Sequence, residues 1–239
     1  MAWRLVVIAL NRYYTTVNDL PVILKLTDRP CLIVGGGKVA LRRAMGLVSV
    51  GAKVTIVAPQ CDPDFASECS QAICIERSFK DSDLDGMFLV VIATDDKAIN
   101  DHVNKLADKG NVLVNRVDDP AAGDLSIPAH AHCGPITIAV HTNRISASAA
   151  ATIRDTLLEH VDPAWPALLS AMQPFREQLQ EKVSDTLIRQ KALKRMADEQ
   201  AMAIIKEQGV IHYIKYCETL MAQFTGDKSN VTVPGSEFK

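Results

Sequence analysis

From position 31 the chain alternates short, unbroken apolar runs with amphipathic stretches, the pattern of βαβ units laid on a mostly parallel sheet. CLIVGGG reads as a first strand and its turn. VALRRAMGLVSVGA follows as a helix, with Ala40, Ala44 and Val48 on one face and Gly51 placed as a C-cap. VTIVAP at 54–59 predicts a second strand and ICIERSF at 73–79 a third. MFLVVIATDD at 87–96 predicts a fourth, and its continuous apolar run suits burial on both faces. Residues 97–109 repeat Ile99, Val103 and Leu106 at helical spacing, and VLVNRVD closes the series as a fifth strand.

After Asp118 the pattern changes. LSIPAHAHCGPITIAVHT has two β-rich runs around Cys133-Gly134-Pro135 and predicts a hairpin or extended arm. A helix from about Ser146 to Val161 follows, with Ile145, Ala149, Ile153 and Leu157 four apart. From Asp162 to about Phe224 the chain reads as helical, punctuated at Pro163, Pro166, Pro174 and Gly209, and its last helix carries Ile214, Cys217, Met221 and Phe224 on one stripe. The fold class is α/β: a Rossmann-like parallel-sheet domain over 1–114, a hairpin region over 115–147, a helical domain over 148–226 and a tail over 227–239, whose PGSEFK resembles a vector scar.

Composition narrows the function classes. With 26 basic and 28 acidic residues in 239, the formal charge of -2 provides no general field for nucleic acid or an anionic membrane, so a polyanionic ligand has to be held by local cations. No apolar run approaches the roughly 20 residues that cross a bilayer, and MAWRLVVIALNRYY lacks the small-residue cleavage site of a leader. A cytosolic protein is expected. The 6 cysteines form no CxxC pair, so reduced thiols are expected, with Cys31 and Cys74 in the core.

Two segments carry candidate chemistry. Gly35, Gly37 and Ala40 match G-x-G-x-x-G/A directly after a strand and at the start of a helix, where missing side chains and the positive helix end suit a pyrophosphate. The second strand ends Ala58-Pro59-Gln60, with neither an acid for a ribose hydroxyl nor an arginine for a 2′-phosphate. At the end of the fifth strand, VNRVDDPAAGD sets Arg116 and Asp118 on one face and Asn115 and Val117 on the other. Thr94, Asp95, Asn115 and Asp118 are expected at the same crevice as the glycine turn, outside the carboxyl ends of the strands. A cation beside a carboxylate can bind an acidic substrate and move its proton; Asp118-Asp119-Pro120 can equally be a turn.

LPVILKLTDRPCLIVGGGKVALRRA, VTIVAP, VIATDD and VNRVDDPAAGD, with IPA close behind, together resemble the precorrin-2 dehydrogenase family, including the N-terminal module of siroheme synthases. The resemblance runs in collinear order from about Leu20 to His160. It implies a Rossmann domain, a dimerisation region built on the hairpin arm, a homodimer, and NAD-dependent dehydrogenation of precorrin-2 to sirohydrochlorin. In some members it also implies insertion of ferrous iron to give siroheme. By the same resemblance Asp118 is the acid/base group, and the dinucleotide contacts fall on Gly35, Gly36, Gly37, Lys38, Val39, Pro59, Gln60 and Thr94. Asn115, Arg116 and Arg144 become candidate substrate contacts, since the substrate carries many carboxylates. Arg42 and Arg43 fit a solvated helix face better than a clamp.

The chain departs from the family in two places. HTNRISA at 141–147 stands where the family has a glycine-containing S-T-G-G-x-S-P type of segment, with Asn143 and Arg144 replacing the glycines. HAHC at 130–133 introduces His130, His132 and Cys133, with His141 at the far end of the hairpin; these are metal-capable, but no metal site is assigned. The alternative to an enzyme is a non-catalytic nucleotide- and tetrapyrrole-binding relative with an altered segment at 141–147.

Overall fold

The computed structural model describes residues 19–225. MAWRLVVIALNRYY and PGSEFK lie outside the described residues. The described residues divide into two compact units, with the boundary between Ile127 and Pro128.

In the first unit, β1 (Pro30–Val34), β2 (Lys53–Ala58), β3 (Ile73–Glu76), β4 (Leu89–Ile92) and β5 (Leu113–Arg116) form a parallel sheet in the order β3-β2-β1-β4-β5. Helix α1 (Lys38–Ser49) follows β1, the short α2 (Phe65–Glu68) follows β2, and α3 (Lys97–Gly110) joins β4 to β5. Alternation along the strands builds two cores. Cys31, Ile33 and Val91 pack with Ala40, Ala44 and Leu47 of α1, while Leu32, Val90 and Ile92 pack with Val103 and Ala107 of α3. Asp96 starts α3 by accepting from the backbone N–H groups of Ala98 and Ile99, and Asn111 in the left-handed region ends it.

Sheet position explains one correction. Cys31 is buried as expected, but Cys74 is exposed, because β3 is the sheet edge and has a neighbour on one side only. Cys74 is also disulfide-bonded to Cys61, which overturns the expectation of reduced thiols for this pair. The chain beyond β2 bends back toward β3, where the N–H of Cys61 donates to Glu76 Oε1 at 3.2 Å.

In the second unit, β6 (Ala129–Cys133) and β7 (Ile136–Val140) form the antiparallel hairpin, turning at Gly134 with φ +55°. Helix α4 (Ala147–Glu159) packs against both strands and is capped by Ser146 Oγ, which accepts from the N–H of Ala149. Helices α5 (Ala164–Lys182), α6 (Thr186–Arg195), α7 (Glu199–Gln208) and α8 (Val210–Thr225) enclose Leu168, Leu179, Met196, Tyr213 and Cys217. The four-apart stripe does not face this core: Ile145, just before α4, and Ile153 and Leu157 on it are exposed. Among the described residues no helix is long and apolar enough to cross a membrane.

Candidate functional site

The parallel register aligns the carboxyl ends of the strands. Val34 pairs with Val57 and with Ile92, and Ile92 pairs with Arg116, so Gly35, Ala93 and Val117 leave the sheet along one edge, beside Ala58 at the end of β2. The turn after β1 is fixed by the N–H of Gly35 donating to Val57 O and the N–H of Ala93 donating to Val34 O. Thr94 Oγ1 donates to Asn100 Oδ1 at 2.6 Å, and Asn100 Nδ2 returns a bond to Thr94 O at 2.9 Å, which ties the end of β4 to α3.

The three glycines of the turn differ in what a side chain would meet. A Cβ on Gly35, at φ +126°, would lie 2.2 Å from Ala93 O, and one on Gly36 would lie 2.1 Å from Gln60 O. At Gly37 nothing lies within 4 Å. Gly37, Lys38 and Val39 are exposed at the start of α1, whose first turn has no acidic residue and no side-chain cap. The N-terminus of α1, with its free backbone N–H groups and positive dipole end, thus borders open space at Gly37, which fits the pyrophosphate of a dinucleotide. Pro59 and Gln60, both exposed, border this turn, and Asp62 closes it by donating its N–H to Gly36 O. A neighbouring concavity of about 580 Å³, lined by Cys61, Asp62, Phe65, Cys69 and Glu76, lies on the β2–β3 flank and includes neither the glycine turn nor Asp118.

Charge is concentrated at the end of β5. Arg116 is buried, and its Nε and Nη2 donate to Asp118 Oδ1 and Oδ2 at 2.9 and 2.7 Å, while Nη1 donates to Asp101 Oδ1 at 2.7 Å. The guanidinium, with help from the Asn100 side chain, holds the Asp118 carboxyl well below the usual carboxylate range. The same pairing raises the pKa of Arg116. Arg116, expected as a clamp for a substrate carboxylate, is thus committed to two carboxylates of its own unit.

The rest of the segment is architectural. Asp119 Oδ1 accepts from the N–H of Ala121, making the turn. Asp124 Oδ2 accepts from the N–H of Val114, and Asn115 Nδ2 donates to Leu125 O, so the turn folds back onto β5. Gly123 permits that approach: a Cβ there would lie 2.9 Å from Val114 O. Asn115 is buried, and its Oδ1 has no hydrogen-bond partner.

Residues 22–129 match a family described as "Putative NAD(P)-binding". The siroheme synthase of Thioalkalivibrio sulfidiphilus is 34% identical over 184 residues, covering 76% of this chain and 38% of that protein. The siroheme synthase of Photobacterium profundum is 40% identical over 143 residues, covering 59% and 30%. Among solved structures, "SirC, precorrin-2 dehydrogenase" superposes with a TM-score of 0.68 at 25% identity, covering 84% of this chain and 99% of that one. The chain is thus similar in sequence to siroheme synthases and in fold to a precorrin-2 dehydrogenase. It spans less than two fifths of the length of these two siroheme synthases.

Within this family frame the segment at 141–147 is the clearest departure. Asn143 and Arg144, in the second unit, have φ of 49° and 65°, in the left-handed region that asparagine tolerates and arginine seldom adopts. On the hairpin, His130 and His132 share the exposed face; His130 Nδ1 lies 3.0 Å from Pro128 O and His132 Nδ1 lies 3.0 Å from Thr137 Oγ1. Among the described residues no group of three His, Cys, Asp or Glu is arranged to hold a metal. Arg42 is exposed and Arg43 half-buried on α1. Sequence reasoning missed Asn100 and Asp101. Both are polar positions on a helix whose apolar repeat drew the attention, and no local spacing links them to Arg116 or Thr94.

Proposed function

We propose that this protein dehydrogenates precorrin-2 to sirohydrochlorin with NAD as hydride acceptor, as a cytosolic homodimer. The observation that carries the reading is the shared sheet edge: an ionised carboxylate, Asp118, stands at the end of β5 in line with a glycine turn shaped for a dinucleotide. The sequence similarity to siroheme synthases and the fold similarity to SirC support the choice of substrate. The dinucleotide, when bound, supplies the hydride acceptor. Gly35, Gly36 and Gly37 form its cradle, Lys38 and Val39 present the helix N-terminus, and Pro59, Gln60 and Thr94 border it. NAD is taken from the family resemblance, since the end of β2 carries neither an acid for a ribose hydroxyl nor an arginine for a 2′-phosphate.

Asp118 is assigned to the reacting centre. Arg144 is assigned to substrate carboxylates, while Asn115 ties β5 to the 115–125 turn by donating to Leu125 O. The exposed apolar residues of α4, Ile153 and Leu157, support the homodimer. Insertion of ferrous iron into sirohydrochlorin belongs to the same proposal as a second activity. The test is anaerobic incubation with enzymatically generated precorrin-2 and either NAD or NADP, following sirohydrochlorin absorbance, then adding ferrous iron. Sirohydrochlorin formed faster with NAD supports the assignment. A folded protein that binds NAD and forms none favours a non-catalytic relative, altered at Asn143 and Arg144.

A further inference from the structure

Arg116 is the one buried cation among the described residues, with its side chain 4% exposed. A buried guanidinium is tolerated when its donors are matched, and here a planar fork meets a planar carboxylate, two parallel bonds to Asp118 with a third to Asp101. Asp101 is held in turn by Lys97, whose Nζ lies 3.0 Å from Oδ2. Asp118 is also approached by the Asn100 side chain and by the backbone N–H of Asp119. The charged groups around Asp118 are therefore Arg116 on β5, Asp101 and Lys97 on α3, and the adjacent Asp119. Asp118 itself keeps 32% side-chain exposure, so the carboxylate is braced from the protein side and open on the other.

We propose that Arg116 is a positioning residue that locks Asp118 as a fixed anion, so that Asp118 acts on the substrate by its charge and not by accepting a proton at neutral pH. The inference rests on the assignment of Asp118 to the reacting centre. A general base works best when its pKa lies near the operating pH, and a carboxylate gripped by a guanidinium is far from that. A fixed anion suits a different task. Dehydrogenation breaks one C–H bond with its electron pair, which passes as hydride to the oxidised dinucleotide, and the tetrapyrrole is left with one positive charge. A preoriented carboxylate stabilises that charge as it develops. The second hydrogen then leaves the cationic ring as a proton to water, its bonding pair staying in the ring, so the products are oxidised ring, reduced dinucleotide and hydronium.

The experiment combines two readouts on wild type, Arg116→Met, Arg116→Lys and Asp101→Asn, each checked for fold by circular dichroism. The first is the titration of Asp118 by NMR of protein carrying ¹³C at aspartate Cγ, with the signal assigned by its absence in Asp118→Asn. The second is the pH dependence of kcat for sirohydrochlorin formation with NAD. In wild type, Asp118 is expected not to titrate between about pH 4 and 8, and kcat to show no acid limb attributable to it. Arg116→Met should bring the titration above pH 4 and lower kcat at least 10-fold, with an acid limb at the new pKa. Arg116→Lys keeps the charge but loses the fork, so Asp118 should stay ionised while kcat still falls at least 10-fold. Asp101→Asn leaves the fork intact and should change kcat less than 3-fold. If Arg116→Met does not fold, the lysine variant decides by the same split. The inference is overturned if wild-type Asp118 titrates in that window with a matching acid limb, or if the folded arginine variants lower only thermal stability and keep wild-type kcat. Absence of dehydrogenase activity in wild type sinks the functional assignment instead, and the NMR titration then still reports whether Arg116 keeps Asp118 ionised.

Discussion

The glycine turn separates what the fold needs from what a dinucleotide needs, and two alanine substitutions read the two requirements apart. At Gly35 the backbone has φ +126°, and a Cβ would sit 2.2 Å from Ala93 O and 2.6 Å from Ala93 C. Both are backbone atoms of the neighbouring strand end, so neither yields cheaply. A residue forced into such a region costs about 1–3 kcal/mol, and overpacking adds about 1–3 more. Gly35→Ala is therefore expected to lose about 2–6 kcal/mol, out of the roughly 5–15 kcal/mol of a folded domain. At Gly37 the backbone is extended, with φ −83° and ψ −177°, and nothing lies within 4 Å. Gly37→Ala loses some N-cap preference and gains some chain stiffness, for a net change within about 1 kcal/mol. Thermal unfolding followed by circular dichroism should therefore show Gly37→Ala within about 4 °C of wild type and Gly35→Ala on the order of 10 °C lower. The methyl at Gly37 occupies the space where the pyrophosphate would approach the N-terminus of α1. Calorimetric titration with NAD should show Kd raised at least about 10-fold, or about 1.4 kcal/mol. Wild-type affinity in Gly37→Ala would refute the placement of the pyrophosphate there. A large loss of stability in the same variant would refute the account of an open turn.

Other expectations follow from single contacts. Tyr213 is buried and its hydroxyl donates to Met196 O at 2.8 Å, so Tyr213→Phe should lower urea stability by about 1–2 kcal/mol without affecting NAD binding. Arg77 holds Asp83, and Arg116 holds Asp118, below the ordinary carboxyl value of 3.8, which the unfolded chain regains. The stabilisation is thus complete above about pH 4 and is lost as pH falls through the folded-state values. Urea midpoints should be level between pH 7 and 5 and fall at pH 3, with a smaller fall in Asp83→Asn. Alkylation of the native, oxidised protein should label Cys133 first, since Cys61 and Cys74 are paired and Cys31, Cys69 and Cys217 are buried. Burial also pushes the Cys31 and Cys217 thiols up to about 11, which leaves little thiolate to react. Mapping by mass spectrometry checks the order, and labelling of Cys61 without reductant would contradict the pairing.

The parallel sheet was legible because its central strands are unbroken apolar runs, and the glycine turn because its spacing sits at a strand-to-helix junction. Side-chain alternation likewise placed Arg116 and Asp118 on one face of β5. What the sequence withheld was contact across the fold. Asp101 reaches Arg116 from α3 and Asn100 reaches back to Thr94, and neither follows from a local period. Cys74 was misread as core because ICI has the same composition in an edge strand as in a central one, and only the strand order exposes it. The stripe of Ile145, Ile153 and Leu157 has helical spacing, but spacing cannot say whether an apolar face meets its own core or stays open.

The most direct measurement is sirohydrochlorin formation from precorrin-2 and NAD under anaerobic conditions, with wild type and Asp118→Ala in parallel. Asp118 is partly exposed, so the variant is expected to fold and bind NAD like wild type while losing at least about 100-fold in kcat. Equal rates in the two proteins, or no product from a wild type that binds NAD, would contradict the assignment of Asp118 to a dehydrogenase active site.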